Sequence, residues 1–332
     1  MKSSFISIRN LPSCKNFARN KSKFVLIVIF ASALLMFGIT SYYFLLLFSP
    51  NLSSLPSAEE LVKDLIFTKG VSAQNDPIVV NYLINHHLIS PNFGTDYNLT
   101  NILNPQQLDI NVQSALRHVF GGRIPENGFF VECGANDGEF LSNTIQLEME
   151  LGWTGLLIEG SPSLVKSLTN TNRKAWVADV CLSGEKPIQV DFLRHANTFP
   201  PWSGGAGKIK ERKTTTQTGN GIEKATPTNS YGTDLFTSEG VVECFPLYAI
   251  LSAINVSRVD LLSLDVEGHE YQILKAVPFH SVDIKVIFVE YFLAPEGEQG
   301  IKTLLAENGF KLWAKTGSDM VFVNKQTDYV SP

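Results

Sequence analysis

Four carboxylates stand where a chain can use them. Glu132, Glu159, Asp265 and Glu290 each end an apolar run or follow one directly. Such runs predict strands covered on both faces. In a parallel sheet, ligands bind beyond the carboxyl ends of the strands. One acid at such an end is explained by the helix that follows, whose N-terminus favours negative charge. Four on one rim predict a cationic or hydroxyl-rich ligand.

The turn after the first acid narrows the ligand. Gly134 lets something approach the backbone closely, and Asn136-Asp137-Gly138 predicts a turn with positive φ. The pattern lacks the second glycine of a pyrophosphate clamp, and Glu132 would repel phosphate. Glu159, at the end of the next predicted strand, is placed to accept both hydroxyls of a ribose. Asp179, near the end of the third, is placed to accept from an adenine amine. Together they describe an adenosyl ligand, best a sulfonium with an amino-acid tail.

Asp265-Val-Glu-Gly-His-Glu270 follows another apolar run. Either His269 or Asp265 is the candidate base. His269 reads equally well as a hydrogen-bonding residue at a helix start, and Glu267 and Glu270 as helix N-terminal charge. Asp265, Glu267 and His269 have no diagnostic metal-ligand spacing. His86-His87 reads as a surface pair, and Lys208, Lys210, Arg212 and Lys213 as a solvated loop.

These residues need a scaffold. Strands are predicted over residues 128–132, 155–159, 175–182, 259–265 and 286–291, with an edge strand over 188–193. Helices are predicted over 142–151, 163–168, 246–254, 270–276 and 298–308, the last stopped by Gly309. Residues 310–314 and 320–324 read as a closing hairpin. Strands alternating with helices predict an α/β fold with a doubly wound, mostly parallel sheet and an antiparallel edge. The main domain starts near Leu116 and runs to 326. Residues 49–115 read as a stem with helices from Ser57 and Asp76. Residues 197–233 carry almost no apolar period and read as a flexible insertion, either a lid or a disordered surface segment.

Residues 24–48 contain no charged side chain, enough to span a bilayer as a signal anchor. Six cations and no acid precede them, which predicts a cytoplasmic tail over 1–23 and a lumenal main domain. The formal net charge is −5, so the chain beyond that tail carries −11. Such a domain repels nucleic acid. Beyond the anchor lie Cys133, Cys181 and Cys244. Cys133 sits inside the glycine turn and is expected buried and free, which leaves Cys181 and Cys244 as the better disulfide pair. Asn51, Asn98 and Asn255 head glycosylation sequons.

Glu132-Cys-Gly-Ala-Asn-Asp-Gly138, Glu159 and the 265–270 segment resemble the FkbM-type S-adenosylmethionine-dependent methyltransferases over residues 128–291. The resemblance implies a Rossmann-like fold of the class I methyltransferase type, with S-adenosylmethionine as cofactor. Glu132, Gly134, Asn136 and Gly138 would surround its methionine part, Glu159 its ribose and Asp179 its adenine. Asp265, Glu267 and His269 would face the substrate. If the domain is active, a substrate oxygen attacks the sulfonium methyl in line while a base takes its proton. Residues 142–144, Leu147-Glu148 and 152–159 resemble the membrane-anchored animal members of the family. That narrower likeness implies a single-pass membrane protein of endoplasmic reticulum, Golgi or endosomes, possessing a lumenal domain. It also implies cargo: transmembrane precursors of epidermal-growth-factor-receptor ligands. An active O-methyltransferase on a secretory-pathway substrate such as a glycan is the other function these residues allow.

Overall fold

The structure is a computed structural model that describes Met36 and residues 56–100, 106–195, 207–211 and 236–327. The basic tail, the apolar run over 24–48 (Met36 apart) and most of the 197–233 segment lie outside the described residues. Among the described residues no helix is long and apolar enough to cross a membrane. The chain divides into two compact units, Met1–Leu61 and Val62–Pro332. Helix α1 (Ala58–Lys63) begins with the reciprocal cap expected at Ser57: the Glu60 N–H donates to Ser57 Oγ at 3.1 Å, and the Ser57 N–H donates to Glu60 at 2.6 Å.

The second unit contains the sheet. In chain order its elements are α2 (Pro77–His86), β1 (Leu88–Ile89), α3 (Ile110–Val119), β2 (Phe129–Cys133), α4 (Ile145–Leu151), β3 (Thr154–Ile158), α5 (Pro162–Asn170), β4 (Trp176–Ala178), β5 (Cys181–Ser183), β6 (Ile188–His195), β7 (Gly207–Glu211), β8 (Phe236–Pro246), α6 (Leu247–Ala253), β9 (Arg258–Leu264), α7 (Glu270–Ala276), β10 (Asp283–Glu290), α8 (Gly297–Glu307), β11 (Phe310–Thr316) and β12 (Asp319–Asn324). The unit begins before the boundary near Leu116 read from the sequence. That boundary falls inside α3, and β1 pairs with β4.

The main sheet has the order β1-β4-β3-β2-β9-β10-β12-β11. Strands β4, β3, β2, β9 and β10 are parallel, and the β11–β12 hairpin closes one edge antiparallel. Alternate residues of each strand feed two cores. Val131, Leu156 and Leu262 pack with α2, α6, α7 and α8 on one face; Phe130, Leu157 and Leu261 pack with α3, α4 and α5 on the other. This is the doubly wound arrangement expected from the apolar runs. Strand order reverses between β2 and β9, so the chain leaving these two strands runs to opposite sides of the sheet, the position at which such folds bind ligands.

Residues 175–182 are not one strand. They split at Asp179 into β4, in the main sheet, and β5, in a second sheet of order β5-β8-β6-β7. The 188–193 strand is interior to this sheet, between β8 and β7. Residues 207–211, assigned to a loop from composition, form the strand β7. Strand pairing with β6 overrode their weak local pattern. The expected Cys181–Cys244 disulfide joins β5 to β8, and Cys133 is free and buried.

His87 is not a surface residue. Its Nδ1 lies 2.7 Å from Asp179, and its Nε2 lies 2.9 Å from Glu243 of β8. Tyr82 and Gln189 also donate to Glu243, and Lys63 lies 3.5 Å from it. Burial opposes charge on His87, but its two carboxylate partners outweigh it and raise its pKa to about 9. Burial likewise opposes charge on Glu243; the donors outweigh it and hold the group down at about 2. The network ties α2 to both sheets. A raised histidine stabilises the fold fully below its ordinary value of 6.5, and that contribution is lost as pH rises through about 9. Replacing His87 with Leu is therefore expected to lower unfolding free energy by about 2–3 kcal/mol at pH 7. The loss should shrink at pH 10. Denaturant titration at the two pH values measures both.

Candidate functional site

A cavity of about 630 Å³ opens at the carboxyl end of the main sheet, in the crevice between β2 and β9. That size suits a small-molecule ligand. Glu132, Gly134, Asn136, Glu159, Asp265, Glu267, His269 and Glu290 all line it. Gly138 and Asp179 do not. Gly138 (φ 82°) packs on Leu168, where a Cβ would meet its Cδ1 at 2.4 Å, and its carbonyl accepts from Arg173. Asp179 is held by His87, outside the cavity, because the chain turns at that point to enter the second sheet.

Two further expectations change in kind. Gly134 (φ 79°) does face a close approach, but from the chain itself. A Cβ there would lie 1.9 Å from the Asp265 carbonyl oxygen. The loops after β2 and β9 are thus in backbone contact, tied by the Asp265 N–H donating to the Cys133 carbonyl. Glu132 is buried, and its carboxylate is already engaged. It accepts from Ser142 Oγ (2.9 Å), the Asn143 N–H (2.6 Å) and Thr144 Oγ1 (2.5 Å). Behind it lies Arg173, also buried, which donates to Glu148, the Gly138 carbonyl, Ser142 and Thr144. The sequence reading missed Arg173, since a lone arginine in a polar run between helix and strand carries no periodic signal.

Glu159 is fixed at the cavity by backbone donors. One oxygen accepts from the Asn136 N–H at 2.9 Å, the other from the Ser161 N–H at 2.7 Å. Burial pushes its pKa up to about 7 although those backbone donors oppose the rise. A carboxylate has about four lone-pair positions, so this one retains acceptor capacity toward the cavity. Nearby, Val180, Leu182, Phe192 and Ile209 form an apolar wall. Phe192 and Ile209 come from β6 and β7, so the second sheet builds part of the site. Those two residues were also invisible in the sequence, because their strand pairing is tertiary.

The other end is acidic. Asp265, Glu270 and Glu290 bring oxygens within 4.8 Å of one another. Glu270 is fully buried and committed to the Val266 and Gly268 N–H groups. Asp265 is solvent-accessible and lines the cavity, its carboxylate set among the other acids. Burial, then Glu267 and Glu270, raise its pKa well above the carboxylate range. Burial and then Asp265 do the same to Glu290, one of whose oxygens is buried without a hydrogen-bond partner. Two acids this close disfavour ionising together. His269 caps α7 without a side-chain cap bond and faces the same space.

The doubly wound sheet, with a cavity at its switch point and an acid after β3, defines a methyltransferase-like α/β fold. A family model for the methyltransferase FkbM domain matches residues 132–312, more than half of the chain, and the chain belongs to that family. Among solved structures it is similar to methyltransferase FkbM from Methylobacillus flagellatus KT, at 13% identity and a TM-score of 0.36. That match covers 60% of this chain and 43% of the other. It is also similar to precorrin-6y C5,15-methyltransferase from Geobacter metallireducens GS-15, at 10% identity and a TM-score of 0.31, covering 68% and 92%. At these scores neither likeness adds to the family assignment. No curated protein matches the chain.

Family membership implies S-adenosylmethionine, and the donor set fits it. Among the described lining residues there is no lysine or arginine to repel a sulfonium, and the apolar wall beside Glu159 suits a purine. Glu159, Asp265 and Glu290 all have raised values. A raised carboxylate stabilises the fold fully below its ordinary pKa, and that contribution is lost as pH rises through the folded value. For Glu159 the window runs from 4.5 to about 7. The unfolding midpoint of the ligand-free protein should therefore fall between pH 5 and 8. In Glu290→Gln the fall should be shallower, as thermal melts across that range would show.

Proposed function

We propose that the domain is an S-adenosylmethionine-dependent O-methyltransferase whose cofactor lies along the Glu159 end of the cavity. The observation that carries this is Glu159 itself. It is a buried acid at the end of β3, oriented by two backbone N–H groups beside an apolar wall. The cofactor supplies an electrophilic methyl group when bound. The protein's residues do the rest. Glu159 holds the ribose hydroxyls, and the Asn136 turn positions Glu159. Asp265 takes the proton of the acceptor hydroxyl, while Glu290 keeps its own proton and tunes Asp265 towards neutrality. Glu267 and His269 hold the acceptor. An acceptor rich in hydroxyls, such as a glycan, suits this end.

Calorimetry on the purified chain with S-adenosylmethionine tests the reading. Binding in the micromolar range is expected, weakened about thirtyfold or more in Glu159→Ala, since a charged hydrogen bond contributes about 2–3 kcal/mol. A folded wild-type protein that gives no heat with the cofactor or its demethylated product would sink it.

A second reading concerns the whole chain and can hold alongside the first. The cationic tail, the uncharged run over 24–48 and the segments 142–144, 147–148 and 152–159 resemble the Star subgroup of the family. On this reading the protein is membrane-anchored with a lumenal domain. It escorts precursors of epidermal-growth-factor-receptor ligands from endoplasmic reticulum to Golgi. Cells lacking the protein should then retain such a precursor in the endoplasmic reticulum. Normal export in the knockout rules this role out.

A further inference from the structure

Six non-glycine residues among those described have positive φ. Three are asparagines in turns away from the cavity, where the short amide side chain tolerates this conformation. The other three are Asn136, Leu141 and Glu267, and all three line the cavity. Leu141 is the least expected. Its side chain gains nothing locally from a φ of 56°, and it is 52% exposed. Neither burial nor local hydrogen bonding accounts for a leucine there.

Its surroundings impose the conformation. On one side Asp137 accepts from the Glu139 and Phe140 N–H groups, at 2.9 and 2.8 Å. On the other, Glu132 accepts from Ser142, Asn143 and Thr144. Leu141 is the residue between these two anchors. Backbone strain that persists because its neighbours over-determine it clusters at sites of function. Phe140, also partly exposed, lines the cavity beside it.

Sheet order says what the pair covers. The loop after β2 lies between the loop after β3, which carries Glu159, and the loop after β9, which carries Asp265. Residues 140–141 therefore stand between the cofactor end and the acceptor end. We propose that Phe140 and Leu141 form an apolar lip over the point where methyl donor and acceptor meet. Leu141 acts as a positioning residue, held in a strained backbone so that its side chain meets the bound cofactor and excludes water. This inference rests on the cofactor reading above.

Two variants test it on the full chain, with S-adenosylhomocysteine as the calorimetric probe. Leu141→Ala removes the leucine from the lip and keeps the strained φ; Leu141→Gly removes the leucine and the strain together. Each should bind the probe about tenfold more weakly than wild type, the effect of losing one buried leucine contact. Without ligand, Leu141→Ala should melt close to wild type, because an exposed side chain contributes little packing. Leu141→Gly should melt about 2–4 °C above Leu141→Ala, because glycine carries no left-handed penalty. Unchanged probe affinity in both variants overturns the lip. So does a ligand-free Leu141→Ala that melts many degrees below wild type, which would make the leucine a packing residue. A wild-type protein that binds no probe overturns the cofactor reading itself, and the lip with it.

Discussion

The site depends on one buried ionic cluster. Arg173, 4% exposed, is enclosed with Glu132 and Glu148, each 3% exposed. Removing three charges from water is costly, and it is tolerated only because nearly every donor and acceptor finds a partner. Arg173 donates to Glu148, Gly138, Ser142 and Thr144. Glu148 also accepts from the Lys174 N–H, and Glu132 accepts the three donors of 142–144. Such a cluster contributes specificity more than stability. It leaves one arrangement for the chain between β2 and α4. That arrangement sets the turn at Asn136, the strained Leu141 and the floor of the cavity.

The two ends of the cavity differ in charge and solvation. Both ends carry carboxylates with raised pKa, for different reasons. Glu159 is raised chiefly by burial, with a smaller push from Glu239, against backbone donors that lower it, and its carboxylate is held in place by those donors. Glu290 is raised by burial and then by Asp265; Asp265 is raised by burial and then by Glu267 and Glu270, against a hydrogen bond with Glu290 that lowers it. The first arrangement suits holding a hydroxylated ligand still. The second suits moving a proton near neutral pH. The backbone contact between Gly134 and Asp265 fixes the two ends relative to each other.

The second sheet ties this site to the N-terminal part of the unit. β6 and β7 supply Phe192 and Ile209 to the cavity wall, and β8 is joined to β5 by Cys181–Cys244. Next to that disulfide, Glu243 receives His87, Tyr82 and Gln189. Residues that look like a stem in the sequence thus bond to the sheet that builds the cavity wall. α2 and the second sheet are joined at Glu243 through both Tyr82 and His87.

Much of this was legible in the residues alone. Continuous apolar runs separated by helix-length segments can only be covered on both faces, so the doubly wound sheet and its closing hairpin followed from pattern. The acids at strand ends followed from the same pattern, because a strand's end and its side chain's face are local properties. The pairing of Cys181 with Cys244 followed once Cys133 was placed inside the turn. Other features are set by contacts between residues far apart in sequence. No local pattern shows that Glu132 is spent on its own chain, that Gly134 makes room for Asp265, or that Asp179 answers to His87. Nor does composition reveal that residues 207–211 pair with β6, or that Arg173 lies buried beneath the turn. Sequence determined which groups arrive at the rim of the sheet. Tertiary packing decided which of them face a ligand, because a buried charge must first be satisfied by whatever donors the fold brings to it.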